Sequence, residues 1–278
     1  MAIAARAQVL DAVTQRVRVN GRNIAVDFYG RLGRPVVLLH GIPGWRGTWR
    51  KVASLLVSGH RVIAPDLMGF GESDEPEPAD CHAEGQARMV LGLLDTLGVN
   101  EAHLVGFDFG GPIAVTVYRL QPARVLSLTL AGTNTFTDTP IPGPLRVAGV
   151  PLVGPLVFRC MFGRAGLAAM WRVAVGDRTR FPYREYRSYL RWDAGIRWTR
   201  QIFYASMRDL RGLYRDVEDT LRRIRVPATV IWGDRDPFFP LAVGERTARA
   251  IPNASFVLLH GCGHFIPEER PEAFASYA

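Results

Sequence analysis

The sequence is short of cysteine, nearly without lysine, and has no long apolar run. Its three cysteines, Cys81, Cys160 and Cys262, lie far apart and match no disulfide or metal-binding spacing. That argues against a disulfide scaffold and a cysteine metal site, and points to a reducing, cytoplasmic setting. No apolar stretch reaches the ~18 residues a membrane span needs. Residues 1–8, Met1-Ala-Ile-Ala-Ala-Arg-Ala-Gln8, lack the apolar segment of a leader peptide. No membrane partner is therefore expected. Lys51 is the sole lysine, so arginine carries the positive charge.

What is present is a chain of 278 residues, 48% of them hydrophobic. That is enough for one large α/β domain with an insertion, or for two small domains. The net charge of +8 is uneven. Residues 139–225 hold 17 arginines against 7 acidic residues, while the remainder has 17 basic and 19 acidic. The arginines do not interleave with aromatics in any nucleic-acid motif, so no nucleic acid partner is expected. They read as the solvated surface of helices. The sequence leaves monomer or homodimer open.

Alternating apolar residues over 13–19 and 24–29, joined by Asn20-Gly21, predict an opening hairpin. Buried strands follow at 36–40, 61–65, 104–107, 125–131, 228–233 and 255–259. Helical spacing is found at 84–97, 112–119 and 241–251, and a last helix starts near Glu269. Strands alternating with helices predict a mostly parallel sheet with helices on both faces. The pattern breaks over 138–222, a stretch of short helices with Trp171, Trp192, Trp198 and five tyrosines. We divide the chain into a core, 1–137 and 223–278, and an inserted helical cap, 138–222.

The chemistry centres on Gly106-Phe107-Asp108-Phe109-Gly110, a sharp strand-to-helix turn that pushes its middle side chain outward. α/β hydrolases commonly place a serine nucleophile at such a turn. Here it is Asp108. The competing reading is a helix N-cap, but other polar groups also fall just after predicted strands. They are His40, Asp236 and His264, at the strand ends where such sheets bind ligands. The order nucleophile, acid, histidine gives Asp108 as nucleophile, His264 as base and Asp236 as the group orienting it, with Asp234 as its competitor. A carboxylate attacks saturated carbon more readily than carbonyl carbon, where it would form an anhydride. That points to epoxides or alkyl halides. The backbone N–H groups of Ile42 and Phe109 are placed as an oxyanion hole, and His40 braces the Ile42 loop. The Ile42–Pro43 bond is a candidate for cis. Trp45 and Phe109, with the aromatic cap, suggest an apolar pocket for a small hydrophobic substrate.

The motifs His40-Gly-Ile-Pro43, Asp66-Leu-Met-Gly-Phe-Gly-Glu-Ser73, Gly106-Phe-Asp-Phe-Gly-Gly111, Gly233-Asp-Arg-Asp236 and Gly263-His264 resemble the α/β-hydrolase family. Within it they are closest to the epoxide hydrolase and haloalkane dehalogenase branch. The resemblance implies an α/β-hydrolase fold with an eight-stranded sheet, and neither metal nor organic cofactor. It implies hydrolysis of a hydrophobic epoxide to a diol through an ester on Asp108, released by water that His264 activates. Dehalogenases of this kind place halide-binding Trp and Asn where this chain has Phe109 and Ile42, which leaves halide chemistry as the alternative. A non-catalytic ligand-binding protein is the other. The resemblance also assigns substrate contacts to His40, Ile42, Phe109 and Trp45. It implies a cap tyrosine that holds the epoxide oxygen. Tyr204 is the candidate, Phe158 stands where a second tyrosine is common, and Tyr183, Tyr186 or Tyr189 are substitutes.

Overall fold

The Asn20-Gly21 turn has φ of 49° and 84°, the left-handed pair that a two-residue hairpin turn requires. It joins β1 (Val13–Val19) antiparallel to β2 (Arg22–Tyr29). The computed structural model describes residues 11–140, 143–148, 150, 152–190, 193–208 and 210–278. The segment read for a leader, and Trp192, lie outside the described residues.

Six further strands complete the sheet. They are β3 (Arg34–Leu39), β4 (His60–Pro65), β5 (Ala102–Phe107), β6 (Val125–Ala131), β7 (Ala228–Gly233) and β8 (Ser255–Leu259). The spatial order is β1-β2-β4-β3-β5-β6-β7-β8, with β2 antiparallel to both β1 and β4 and the remaining pairs parallel. The helices α1 (Arg50–Leu56), α2 (Ala83–Thr96) and α3 (Gly110–Leu120) connect the central strands. The chain steps from β3 to β4 on one side, then crosses back to β5 on the other. β3 and β5 are therefore neighbours whose outgoing loops diverge, in register at Leu39 and Gly106. Such a reversal opens a crevice at the carboxyl ends of the strands. It lies between the loop after Leu39 and the turn at Asp108.

Alternation along the strands divides the core in two. Val37 and Leu39 face a cluster with Leu94 and Ile113 from α2 and α3. Val36 and Leu38 face another with Trp49 and Val52. Trp49 and Trp232 are fully buried, and cutting either back to alanine would cost roughly 3–5 kcal/mol.

Between β6 and β7 lie α4 (Gly143–Ala148), α5 (Gly154–Met161), α6 (Arg164–Ala174), α7 (Tyr183–Tyr186), α8 (Asp193–Arg208) and α9 (Leu210–Leu221). Both core clusters continue into this segment, through Ile202, Leu213 and Val217 on one side and Phe158, Phe162 and Phe203 on the other. α10 (Leu241–Ala250) precedes β8, and α11 (Ile266–Glu269) and α12 (Pro271–Tyr277) close the described chain. The final helical stretch thus starts three residues before Glu269 and breaks at Arg270, because a residue ahead of proline is pushed out of the helical region. No helix among the described residues is long and apolar enough to cross a membrane.

Candidate active site

Asp108 has φ of 52°, a conformation unusual for a residue with a side chain. The surroundings hold it there. Its N–H donates to Ala131 O at 3.1 Å, and its carbonyl accepts the Thr133 hydroxyl at 2.6 Å. The turn closes only because its flanks lack side chains. A Cβ on Gly106 would stand 2.4 Å from Gly110 O, and one on Gly110 would stand 2.1 Å from Leu39 O. The side chain is 13% exposed.

The two proposed oxyanion donors meet Asp108 itself. The Ile42 N–H donates to Asp108 Oδ1 at 2.6 Å, and the Phe109 N–H also bonds the carboxylate. Ile42 precedes Pro43 in a cis peptide. Its loop is anchored by buried Arg46, which donates to Asp27 Oδ1 at 2.8 Å and to Glu72 Oε2 at 2.9 Å, and pairs with Asp66.

On the other side stands His264, its side chain 4% exposed. Its Nδ1 donates to Asp236 Oδ2 at 2.9 Å, while Asp236 Oδ1 accepts the N–H groups of Phe238 and Phe239 at 2.8 and 3.1 Å. Asp234 bonds His260 and Gly261 instead. The Nε2 of His264 is left facing Asp108 Oδ2 at 3.7 Å. That is too long for a direct hydrogen bond, and is a separation that one water about 2.8 Å from each can bridge. Burial opposes charge on the ring, but Asp236 and then Asp108 outweigh it and lift the His264 pKa above the ordinary value. Burial also lifts that of Asp108, against the pull of His264 and of the two N–H groups.

Several sequence-based assignments change. His40 is not a substrate contact. It is fully buried, Nδ1 donates to Gly41 O and Nε2 accepts the Leu67 N–H, each at 3.0 Å, so the ring is spent on bracing two loops. Trp45 is half-buried beneath the Arg46 guanidinium, 5.4 Å from its centroid. The Phe109 ring is buried in the core. Tyr204 lies on α8 in an aromatic group with Phe158 and Phe203. Tyr183 and Tyr189 donate to Arg164 O and Glu268 Oε1, and Tyr186 is buried against Phe181 and Phe265. Among the described residues of the inserted segment, Tyr214 on α9 is a tyrosine whose surroundings include the elbow. Its hydroxyl bonds the Asn134 side chain and feels the Asp108 charge, and burial raises its pKa well above the usual phenol value. Nothing in its local sequence distinguishes it from its neighbours. Asn134, however, falls just beyond β6, where the strand-end rule could have found it. Among the described residues no group of three His, Cys, Asp or Glu is arranged to hold a metal ion.

An Asp–His pair over a carboxylate elbow, at the reversal of a mostly parallel sheet, defines a hydrolase fold. The family described as alpha/beta hydrolase fold matches residues 34–152 and 166–271, and the chain belongs to it. Among its relatives, a 2-hydroxy-6-oxononadienedioate/2-hydroxy-6-oxononatrienedioate hydrolase of Paraburkholderia phymatum is 33% identical over 246 residues, covering 86% of this chain and 83% of that protein. The structure of a 2-hydroxy-6-oxo-6-phenylhexa-2,4-dienoate hydrolase from Rhodococcus sp. strain RHA1 matches with a TM-score of 0.79 at 23% identity, over 96% of both chains. The epoxide hydrolase CorEH matches with a TM-score of 0.79 at 21% identity, also over 96% of both, which shows the shared fold alone. The epoxide expectation is thereby overturned, and with it action on an ether bond. Sequence relatives with a named substrate, such as those of Paraburkholderia phymatum and Burkholderia vietnamiensis, are dienedioate hydrolases, whereas epoxide chemistry rested on the reactivity of Asp108 and a motif resemblance. What stands is a hydrolase with the α/β-hydrolase fold.

Proposed function

We propose that this protein hydrolyses a carbon–carbon bond beside the ketone of a small conjugated keto acid. The sequence likeness to the dienedioate hydrolases over 86% of the chain carries the reading. A 2-hydroxy-6-oxononadienedioate has an enol, a ketone and two carboxylates, but no ester, amide or ether. Water can split it only at a bond flanking the ketone carbon.

Asp108 then takes a role other than nucleophile. Attack by its carboxylate on a ketone would lead to an anhydride, whereas a water held between Asp108 Oδ2 and His264 Nε2 gives a carboxylic acid directly. His264 takes one proton from that water as its oxygen bonds to the ketone carbon. The carbon–carbon bond breaks with its electron pair going to the conjugated fragment. That fragment receives the proton from His264, and the ketone fragment leaves as the acid. The Ile42 and Phe109 N–H groups are occupied by Asp108, so the Tyr214 hydroxyl is the donor left for the developing oxyanion. Residues 138–222 act as a cap that closes the site from water.

Turnover of a 2-hydroxy-6-oxodienoate in heavy-oxygen water tests this. Loss of the conjugated absorbance should put one solvent oxygen into the new carboxyl and none into Asp108. Unchanged absorbance, or label in Asp108 after a single turnover, would overturn it.

A further inference from the structure

The cap surface carries a patch that this chemistry leaves unused. Residues 139–176 contain four arginines, Arg146, Arg159, Arg164 and Arg172, and no Asp or Glu. All four are exposed. None is in an ion pair among the described residues, whereas Arg180 and Arg222, further along, pair with Glu272 and Asp219.

The same stretch exposes apolar side chains. Val147, Val150, Leu152, Val153 and Leu156 are between 44% and 95% exposed, with Leu152 the most exposed and Leu156 at 65%. They run from the end of α4 (Val147) through the connecting turn (Val150, Leu152, Val153) to the start of α5 (Leu156), tied by the Val150 N–H to Val147 O at 3.0 Å and the Gly154 N–H to Val150 O at 2.7 Å. Leu152 has φ of 69°, a backbone seldom taken by a residue with a side chain, and stands out from this turn. On α5 the pattern is two-faced. Phe158 is buried among Phe162, Phe203 and Tyr204, while Leu156, Arg159 and Cys160 face outward.

An isolated exposed leucine needs no explanation, but five apolar residues within ten positions mark an interaction surface. The charge identifies the partner. An apolar tip flanked by unpaired arginines, with no acidic residue in the stretch, suits an anionic bilayer. Leucines there enter the headgroup layer while arginine stems lie along it and their guanidinium groups reach phosphate. We propose that the α4–α5 turn is a membrane-docking surface, seating Leu152 and Leu156 in an anionic lipid interface held by Arg146 and Arg159. The expectation of no membrane partner came from the lack of a spanning run, and a surface that lies on a bilayer needs none.

The test is co-sedimentation of the full chain with phosphatidylcholine vesicles, with and without phosphatidylglycerol. Binding should require phosphatidylglycerol and weaken as salt rises from ~0.1 M to ~0.5 M. The double substitution Leu152→Asp with Leu156→Asp should lower the partition coefficient at least ~tenfold. Arg146→Gln and Arg159→Gln should each lower it about fivefold, which keeps the test open if the leucine variant misfolds on melting. No binding, equal binding to both vesicle types, or binding unmoved by these substitutions overturns the proposal. So does size-exclusion showing a dimer that the leucine variant breaks, with no vesicle binding.

Discussion

The His264 N–H donates to the carbonyl of Ala174 at 2.8 Å, so the loop that carries the ring facing Asp108 is bonded to the end of α6 in the inserted segment. Glu269, fully buried, reinforces the joint. Its Oε2 accepts the Gly263 N–H at 3.1 Å and the Asp177 N–H at 2.7 Å. The two segments touch so closely that a Cβ on Gly176 would stand 2.6 Å from Gly263 N. Glu269→Ala leaves buried N–H groups without an acceptor, at a cost of about 1–3 kcal/mol. That lowers Tm by roughly 2–6 °C and lowers kcat, while Glu269→Gln, which keeps an acceptor, recovers most of both. Equal kcat and Tm for wild type and Glu269→Ala would show that the joint does not hold the ring.

Tyr214 and Tyr204 make a matched pair. Tyr214 bonds Asn134 and lies within the field of Asp108, whereas Tyr204 packs with Phe158 and Phe203. Tyr214→Phe should lower kcat roughly hundred- to thousandfold with little change in KM, as for loss of one donor to a developing oxyanion. Tyr204→Phe should leave kcat near the wild-type value. Steady-state kinetics of the two variants decide it, and a larger loss at Tyr204 would reverse the assignment.

The pH profile follows from His264. Its Nε2 must be free to take a proton, and its pKa is raised above the ordinary 6.5, with Asp236 the first of the groups that outweigh burial. Activity should therefore fall on the acid side with a midpoint above that value, because the ring is already protonated below it. Asp236→Asn removes the group that lifts the pKa. The acid limb should move to lower pH while the plateau drops by roughly 10²–10⁴-fold. A limb that stays in place would assign the titration to another group.

Much of the fold was legible because it follows from local chemistry. The Asn20-Gly21 turn, the period-two strands and the glycines about Asp108 are each dictated within a few residues. The choice of Asp236 over Asp234 as the partner of His264 also agrees with the geometry. Two things were not legible. The sequence suggested that His40 braces the Ile42 loop, which its two hydrogen bonds fit, but not that full burial leaves the ring no face for substrate. The substrate was inferred from the reactivity of Asp108 together with the family resemblance. A carboxylate whose neighbouring N–H groups are already bound to it can anchor a water as well as attack carbon, and residue type does not separate these roles.

That ambiguity gives a gain-of-function test. In Asp108→Ser the Ile42 and Phe109 N–H groups lose their acceptor and become free to hold a carbonyl oxygen, and a hydroxyl replaces the carboxylate beside His264. The variant should acquire hydrolysis of activated esters such as nitrophenyl acetate, with a burst as the serine is acylated. Stopped-flow absorbance at the nitrophenol band reads the burst. A variant inert to esters, yet folded by circular dichroism, would show that the two N–H groups do not point where a carbonyl oxygen can reach them.

His40 makes a prediction about stability. Burial, the largest influence, pushes its pKa from 6.5 down to about 4, because the charged ring would lose its hydration; a second ring proton would also take the lone pair that accepts the Leu67 N–H. In the unfolded chain the ring protonates near its ordinary value. Above about pH 6.5 both states are neutral and the contribution is complete. As pH falls from there towards 4, protonation favours the unfolded chain, and about 3 kcal/mol is lost. His40→Gln is less stable at pH 7, since the replacement cannot make both bonds at the same reach, but it lacks this titration. Urea unfolding of both proteins at several pH values across that window should show wild type losing stability faster on acidification, so that the gap between them narrows. A constant gap would mean that His40 is protonated alike in the folded and unfolded chain.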